Sequence, residues 1–491
     1  MKPKFSPLGA AGMGLLAALF STLARCRSEV PERGDPDRPN IVIIFTDDQG
    51  YGDVGVFGAA DIPTPNLDGM AAEGVVLTEF YAAQPVCSAS RAALLTGCYP
   101  NRIGIHNALM PGSPVGLNPE EETLAELLQA RGYSTGIFGK WHLGDAPEFL
   151  PTRHGFDQFY GIPYSNDMWP HHPQQGSVFH FDPLPLYEQE TVVDTLDDQT
   201  YLTRDITRKS VAFIREHRDQ PFFLYVPHPQ PHVPLFASEA FRGKSGRGLY
   251  GDVIMEIDWS VGQILQALQD NGLSENTLVV FTSDNGPWLS YGNHAGSAGP
   301  LREGKGTTWE GGVREPFILK FPGRIPAGQR VEVPAMAIDL LPTLTDLAGA
   351  PRPQNPIDGK NIWPLLTGLQ QESSQDAYFY YYRVNEMHAV RSGPWKMYFP
   401  HSYRSMEGQP PGRDGLPGPY TYFELETPEL YHLGRDPSET RDVASENPEV
   451  VGRLSALADG MRHRLGDALT GSEGVENRPP GRLAPGETPE P

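Results

Sequence analysis

Five short apolar runs, each breaking off into a polar or glycine-rich loop, constrain the fold of this chain most. They read PNIVIIF (residues 39–45), TGIFGKW (135–141), PFFLYVP (221–227), TLVVFTSDNG (277–286) and PFILKFP (316–322). Continuous apolar character in so short a run suits a strand buried on both faces. The segments between them carry helical spacing: TLAELLQARGYS is closed by Gly132, and VIMEIDWSVGQILQALQDNG stops at Gly272. This alternation predicts an α/β class, a large and mostly parallel central sheet with helices on both faces. At 491 residues the chain is long enough for such a domain and an appendage.

The texture changes after about residue 370. AYFYYYRV, HAVRSGPWKMYF and YTYFELE look like antiparallel strands, and PEVVGRLSALADGMRHRL like one closing helix. A smaller C-terminal α+β subdomain with a short antiparallel sheet is expected over 371–469, after a main domain over 39–370. Residues 470–491, rich in Pro, Gly and Glu, are expected to form a disordered tail. At the other end, Lys2 and Lys4 precede GLLAALFSTLA, the layout of a signal peptide over 1–26, followed by a polar linker over 27–38. Two readings of its end stay open: cleavage after Ala24, or LARC as an approximate lipobox with Cys26 lipidated, where Arg25 departs from the usual small residue. Either makes the protein exported, periplasmic or extracellular, with a membrane reached only through a lipid anchor at Cys26.

A formal net charge of −22 argues against nucleic acid and anionic membrane surfaces as partners. The three cysteines (Cys26, Cys87 and Cys98) make no disulfide framework. With 88–96 helical, Cys87 and Cys98 stand roughly 16 Å apart along the axis, against a limit of about 7 Å between bridged Cα atoms. The spacing argues against a bridge, and Cys98 reads as an ordinary small residue beyond the helix end.

Chemistry-bearing residues gather where the strands end, the place where open α/β sheets bind ligands. IVIIFTDDQGYGD puts Asp47 and Asp48 just after one strand, and VVFTSDNG puts Asp284 and Asn285 just after another. Three carboxylates and an amide oxygen are a ligand inventory for Ca²⁺ or Mg²⁺, although DD and DNG alone are common turn sequences. Lys140 and His142 in FGKWHLG, His232 in PHPQPHVP and Lys305 in GKGTTWEGG add cationic and proton-handling groups. Lys140 and His142 stand two apart, so in an extended segment both point to one side. Arg91, one turn after Cys87, adds a fixed charge near a helix start, whose N–H groups favour anions. A carboxylate cluster beside a cationic anion cradle outlines a sulfate or phosphate ester hydrolase. PHHPQQ (170–175) reads rather as a proline-rich surface loop, which leaves open that it rims the site. His294 and Trp288 are candidates for lining a leaving-group pocket, with a plain surface-loop role at least as good.

These residues resemble the sulfatase family. CSASRAALLTG is similar to its signature around a modified cysteine: Cys, any residue, Pro or Ala, Ser, Arg, then a Leu-Thr-Gly ending. The likeness extends in order through PNIVIIFTDDQGYGD, GKWHLG, HGFDQFYGIPYSND, SDNG, GKGTTWEGGVREP and LYHLGRDPSETRDVA, over roughly residues 39 to 445. Within the family it looks most like the arylsulfatase A and N-acetylgalactosamine-6-sulfatase type, of alkaline-phosphatase-like fold. The resemblance implies that a maturation enzyme oxidises Cys87 to Cα-formylglycine, whose hydrate is the nucleophile. It implies one Ca²⁺ held by Asp47, Asp48, Asp284, Asn285 and the modified residue 87. Arg91 and Lys140 would hold the hydrate and sulfate, and His142 would be the base that breaks down the sulfated hydrate. His232 and Lys305 would bind sulfate and protonate the departing alcohol. A sulfated serine must wait for water, whereas a geminal diol keeps a second hydroxyl that can expel sulfate. Ala89 stands where the commonest signature has Pro, which bears on which maturation enzyme acts and how completely.

The expected function is therefore an exported, calcium-dependent sulfatase acting on aryl or carbohydrate sulfates, with a sulfated polysaccharide or glycan as substrate. Two alternatives remain: a phosphodiester or phosphonate ester hydrolase of the same superfamily, and a non-catalytic sulfated-glycan-binding protein with unconverted Cys87.

Overall fold

The strand Asn40–Thr46 is buried along its whole length and stands in the middle of an eleven-stranded sheet. Its side chains alternate between two cores, with Val42 and Ile44 on one face and Ile41, Ile43 and Phe45 on the other. That double burial is why the run is apolar without a break. Each fully buried Ile or Val contributes roughly 1.5–3 kcal/mol relative to exposure. The computed structural model describes Met1, Pro3 and residues 38–484. The signal segment, Cys26 and nearly all of the linker lie outside the described residues, as do 485–491.

Parallel partners of the central strand are Phe222–Pro227 on one side and Thr277–Ser283 on the other. Ser134–Lys140 and then Gln158–Ile162 continue the parallel set, which closes with the antiparallel Pro185–Glu188 and Thr191–Thr195. Beyond Thr277–Ser283 runs Arg314–Lys320, antiparallel to both its neighbours, and then Val75–Tyr81. The sheet is thus mostly parallel, with two reversed strands, Arg314–Lys320 inside it and Pro185–Glu188 next to one edge; an apolar run carries no mark of its direction.

Helices cover both faces. Leu202–Glu216 and Gly248–Asp270 bring Ile206, Phe213, Ile254 and Ile257 to one core. Cys87–Thr96, Leu124–Ala130 and Leu340–Ala348 bring Leu94, Leu95, Leu124 and Leu344 to the other.

The C-terminal region holds a four-stranded antiparallel sheet (Tyr378–Tyr382, Glu386–Ser392, Trp395–Tyr398, Glu429–His432), a hairpin (His401–Ser405 with Thr421–Leu425) and the helix Pro448–Leu465. Its core is shared with Tyr81, Ala93, Tyr99, Trp309 and Val313 of the larger region, so the two meet through packed side chains.

Residues 470–484 depart from the disordered tail expected there. Gly481–Arg482 pairs with Val115–Gly116, and Arg478 forks onto both carboxylate oxygens of Glu121 at 2.6 and 2.8 Å. Arg464 and Arg102 both reach Glu476. Composition missed this because polar ion pairs and backbone pairing, rather than apolar burial, hold the segment. Cys87 and Cys98 are both free and buried.

Candidate active site

Register brings the polar strand ends together. Thr46 pairs with Ser283 and Phe45 with Pro227, so Asp47–Asp48, Asp284–Asn285 and the loop leading to His232 leave the sheet side by side. Asp48 sits in the left-handed region at φ 62°, a conformation open to Asp through its short polar side chain. That turn aims the Asp48 N–H at Asp284 Oδ1, 3.1 Å away.

The helix Cys87–Thr96 starts beneath these ends, and all ten of its residues are buried. Val86 is extended before it, and Gly97 at φ 69° terminates it, donating its N–H to the Ala93 carbonyl. Cys87 opens the first turn. Its Sγ lies 3.5 Å from Asp47 Oδ1 and 3.3 Å from Lys305 Nζ. One turn on, Arg91 donates to Asp47 Oδ2 at 3.1 Å, to Asp284 Oδ2 at 3.0 Å and to the Lys140 carbonyl at 2.9 Å.

Lys140, the last residue of its strand, donates to Asp47 Oδ2 at 2.5 Å and to Ser165 Oγ at 3.0 Å. Lys305 pairs with Asp48 at 2.7 Å and stands over the Trp288 ring. His232 Nε2 lies 3.5 Å from Asp48 Oδ2, while its Nδ1 faces the Val233 carbonyl at 2.5 Å. Asn285 donates to Asp48 Oδ1 at 2.7 Å, and its own Oδ1 is buried without a partner. Ligand atoms of Asp47, Asp48, Cys87 and His232 fall within 4.8 Å of one another.

His142 reaches the same cavity as Cys87 by a different route from the extended alternation expected of it. The strand ends at Lys140, and His142 turns in at φ 61°, with Nε2 2.9 Å from the Leu109 carbonyl.

Charge is tightly balanced here. Burial works to raise Asp47, but Lys140, Arg91, His232 and Lys305 hold it well below the usual carboxylate range. Asp284 goes the other way despite its Arg91 contact, because burial and the neighbouring Asp47 carboxylate outweigh that cation. Burial, then Lys140 and Arg91, keep His142 well below its ordinary value, so its ring is neutral. Burial and Asp47 push the Cys87 thiol up, far from the thiolate.

Above Cys87 opens a cavity of about 320 Å³. His172 and Gln174 stand in its wall, so part of the 170–175 loop rims the site rather than only the surface. Trp288 lines the cavity and packs edge-on to His232, whereas His294 is not among the lining residues. Asp167, Tyr291 and Arg404 also line it. Sequence reasoning missed these, and only the quoted YSND stretch carried a signal for Ser165 and Asp167. Gln49, Gln84 and Glu315 were missed as well; they are buried nearby in sequence to the site segments, with side-chain polar atoms unpartnered.

Comparison with known proteins agrees with this geometry. The sulfatase family profile matches residues 39–350, and a profile for the C-terminal region of aryl-sulfatase matches 373–477. Arylsulfatase A of Homo sapiens is 41% identical over 473 residues, covering 90% of this chain and 89% of the relative. N-acetylgalactosamine-6-sulfatase of Canis lupus familiaris is 42% identical over 450 residues, covering 86% and 85%. The crystal structure of Ps i-CgsB in complex with k-i-k-neocarrahexaose superposes with a TM-score of 0.71 at 31% identity, covering 86% of this chain and 92% of that one. The chain belongs to the sulfatase family, of the arylsulfatase A and N-acetylgalactosamine-6-sulfatase type, and hydrolyses sulfate esters.

Proposed function

We propose that this sulfatase is exported, binds one Ca²⁺, and works through Cα-formylglycine made from Cys87 by a maturation enzyme. The observation that carries the reading is the seat of Cys87 Sγ between Asp47 at 3.5 Å and Lys305 at 3.3 Å, on the floor of the cavity. An unmodified thiol there is inert, since burial and Asp47 oppose its ionisation. As a hydrated aldehyde, residue 87 supplies two hydroxyls on one carbon, one to attack sulfur and one whose deprotonation expels sulfate.

Asp47, Asp48, Asp284, Asn285 and residue 87 would hold the cation. The donors fit a hard ion: all four side chains offer oxygen, Asn285 Oδ1 has no other partner, and Asp284 is short of positive charge. Bound calcium would polarise a sulfate oxygen and favour an ionised hydroxyl on residue 87.

The remaining roles follow from hydrogen bonding. Arg91 and Lys140, both tied to Asp47, present fixed positive charge to the reacting oxygens. His142 donates from Nε2 to the Leu109 carbonyl, which leaves the lone pair of the neutral ring on Nδ1, an atom without a protein partner. Nδ1 is therefore the site that takes a proton from residue 87. As the imidazolium, His232 donates from Nδ1 to the Val233 carbonyl and carries a second proton on Nε2, 3.5 Å from Asp48 Oδ2, which it gives to the departing alcohol. Lys305, between Asp48 and residue 87, binds sulfate beside it. A sulfated glycan is the natural class of substrate, supported by the oligosaccharide bound to Ps i-CgsB.

Two measurements test this reading. Peptide mass spectrometry of residues 85–91, in protein from its native host, should find formylglycine at position 87 in a substantial share of molecules. Cys87→Ala should lower turnover of an aryl sulfate by roughly 10⁴-fold or more with the fold kept. Intact cysteine in every molecule, or substantial activity left in the variant, would refute the covalent role. Faster turnover of an aryl phosphate diester than of the sulfate would favour the phosphodiesterase alternative.

A further inference from the structure

The catalytic cavity is not closed on the side of the C-terminal region. Arg404, on the hairpin His401–Ser405/Thr421–Leu425, lines it together with Tyr382. The same two residues line a second, smaller cavity of about 120 Å³, where Arg383, His388 and Ser402 add polar wall. Arg404 therefore belongs to the wall of both.

Its position is built rather than incidental. Nε and Nη2 both donate to the Lys305 carbonyl, at 3.2 and 2.6 Å, and the guanidinium stacks over the Tyr420 ring. Gly306 makes room for it: a Cβ there would come within 2.3 Å of Arg404 Nη2, and the residue's φ of 77° itself suits glycine. Among the described residues no carboxylate pairs with Arg404. Glu303, which feels its charge, takes the Ser405 hydroxyl at 2.6 Å instead. A half-buried guanidinium, held by one carbonyl and one ring, keeps donors for a planar anion.

This contrasts with the cations around residue 87. Arg91, Lys140 and Lys305 all have carboxylate partners inside the site. Arg404 has none, yet it is fixed to the backbone of Lys305, which touches Cys87 Sγ.

We infer that Arg404 binds a second anionic group on the substrate, a sulfate or carboxylate beyond the ester being cleaved, and so selects multiply anionic glycans over singly sulfated ones. The inference rests on the sulfated-glycan reading above. Arg404 is a specificity residue here and takes no part in bond breaking. The second cavity gives the chain of such a glycan somewhere to continue, past Tyr382 toward Arg383 and Ser402.

The test uses the monosulfated and disulfated forms of one galactosamine-containing disaccharide. Binding is read by calorimetry on full-length Cys87→Ala protein, with and without Arg404→Gln, so that turnover is not needed. The disulfated form should bind at least tenfold more tightly than the monosulfated form, and Arg404→Gln should erase most of that ratio. Arg404→Lys, which keeps charge but loses the fork, should restore part of it. In the otherwise native enzyme, Arg404→Gln should lower the ratio of kcat/KM for the two sugars by a similar factor, mainly through KM. Equal binding of the two sugars by the Arg404-containing protein, or equal losses for both in Arg404→Gln, would overturn the inference. Tight, Arg404-dependent binding without turnover by the mature enzyme would sustain it while sinking the mechanism proposed for residue 87.

Discussion

The cluster around Cys87 and the cluster around Lys396 are built from the same materials, yet only the first lines the catalytic cavity. At the junction with the C-terminal sheet, Lys396 donates to Glu310 Oε1 and the Thr308 carbonyl, both at 2.8 Å, and lies 3.7 Å from Glu439. Tyr81 completes Glu310 at 2.7 Å, while Tyr398 and the Glu310 N–H complete Glu439 at 2.5 and 2.8 Å. The charged groups of Lys396, Glu310 and Glu439 are all matched, although Thr308 Oγ1 beside them is buried without a partner. Around Cys87, by contrast, Asn285 Oδ1 and His142 Nδ1 are orphaned, and the site opens into a cavity. A network whose charges are matched within the fold fixes two regions against each other; one left open at a cavity can take a ligand.

That contrast can be broken experimentally, and the junction gives the largest expected effect on stability. Lys396→Met leaves Glu439 buried without its cation and Glu310 with Arg314 alone at 3.3 Å, which should cost about 3–5 kcal/mol in urea unfolding. The folded fraction should keep its turnover, because Lys396 touches none of the residues assigned to the reaction. A loss below about 1 kcal/mol would mean that the network is not holding the regions together.

Calcium should act on the other cluster. At about a hundred times its Kd the ion adds about 2.7 kcal/mol to stability, visible as a higher Tm that a chelator reverses. The same addition should leave the Lys396→Met deficit unchanged, since the two clusters are separate. An unaltered Tm across a calcium titration would remove the ion from the site.

The smallest effect is a pH dependence. Burial raises Glu439 and, with Lys396 taken largely by Glu310, its neighbour raises it further. Burial opposes Glu310 too, but Lys396, Arg314 and Arg391 pull it down. An acid raised in the fold loses stability as pH climbs from its unfolded value through its folded one; a depressed acid loses it as pH falls through its folded value. Glu439→Gln should therefore flatten the decline in stability on the way up to neutral pH, by no more than about 1.4 kcal/mol per pH unit, and leave the acid limb due to Glu310. Chemical denaturation at several pH values reads this directly, and an unchanged slope in the variant would contradict the assignment.

Much of the site was legible because parallel strands end together. Once PNIVIIF and TLVVFTSDNG are neighbours in register, Asp47, Asp48, Asp284 and Asn285 converge without further information. Residues carried on loops were only partly legible. Trp288 and the 170–175 loop were candidates with a plain surface role equally open, and Arg404 was not named, because such segments follow paths that no periodicity encodes. The left-handed turns at Asp48 and His142 were equally silent, since neither is glycine. The reversed direction of Arg314–Lys320 and the pairing of Gly481–Arg482 depend on partners distant in the chain.

That last pairing also orders events in time. Cys98 and Arg102 follow the Cys87 helix directly, yet Arg478 reaches Cys98 and Glu476 reaches Arg102 from the far end of the chain. On a ribosome those contacts become available only when synthesis is nearly over, and contacts of such separation form slowly. The packing of Cys98 and Arg102 is thus expected to be completed late. The maturation enzyme proposed for residue 87, which is 2% exposed in the finished fold, would reach it most readily before that packing is complete.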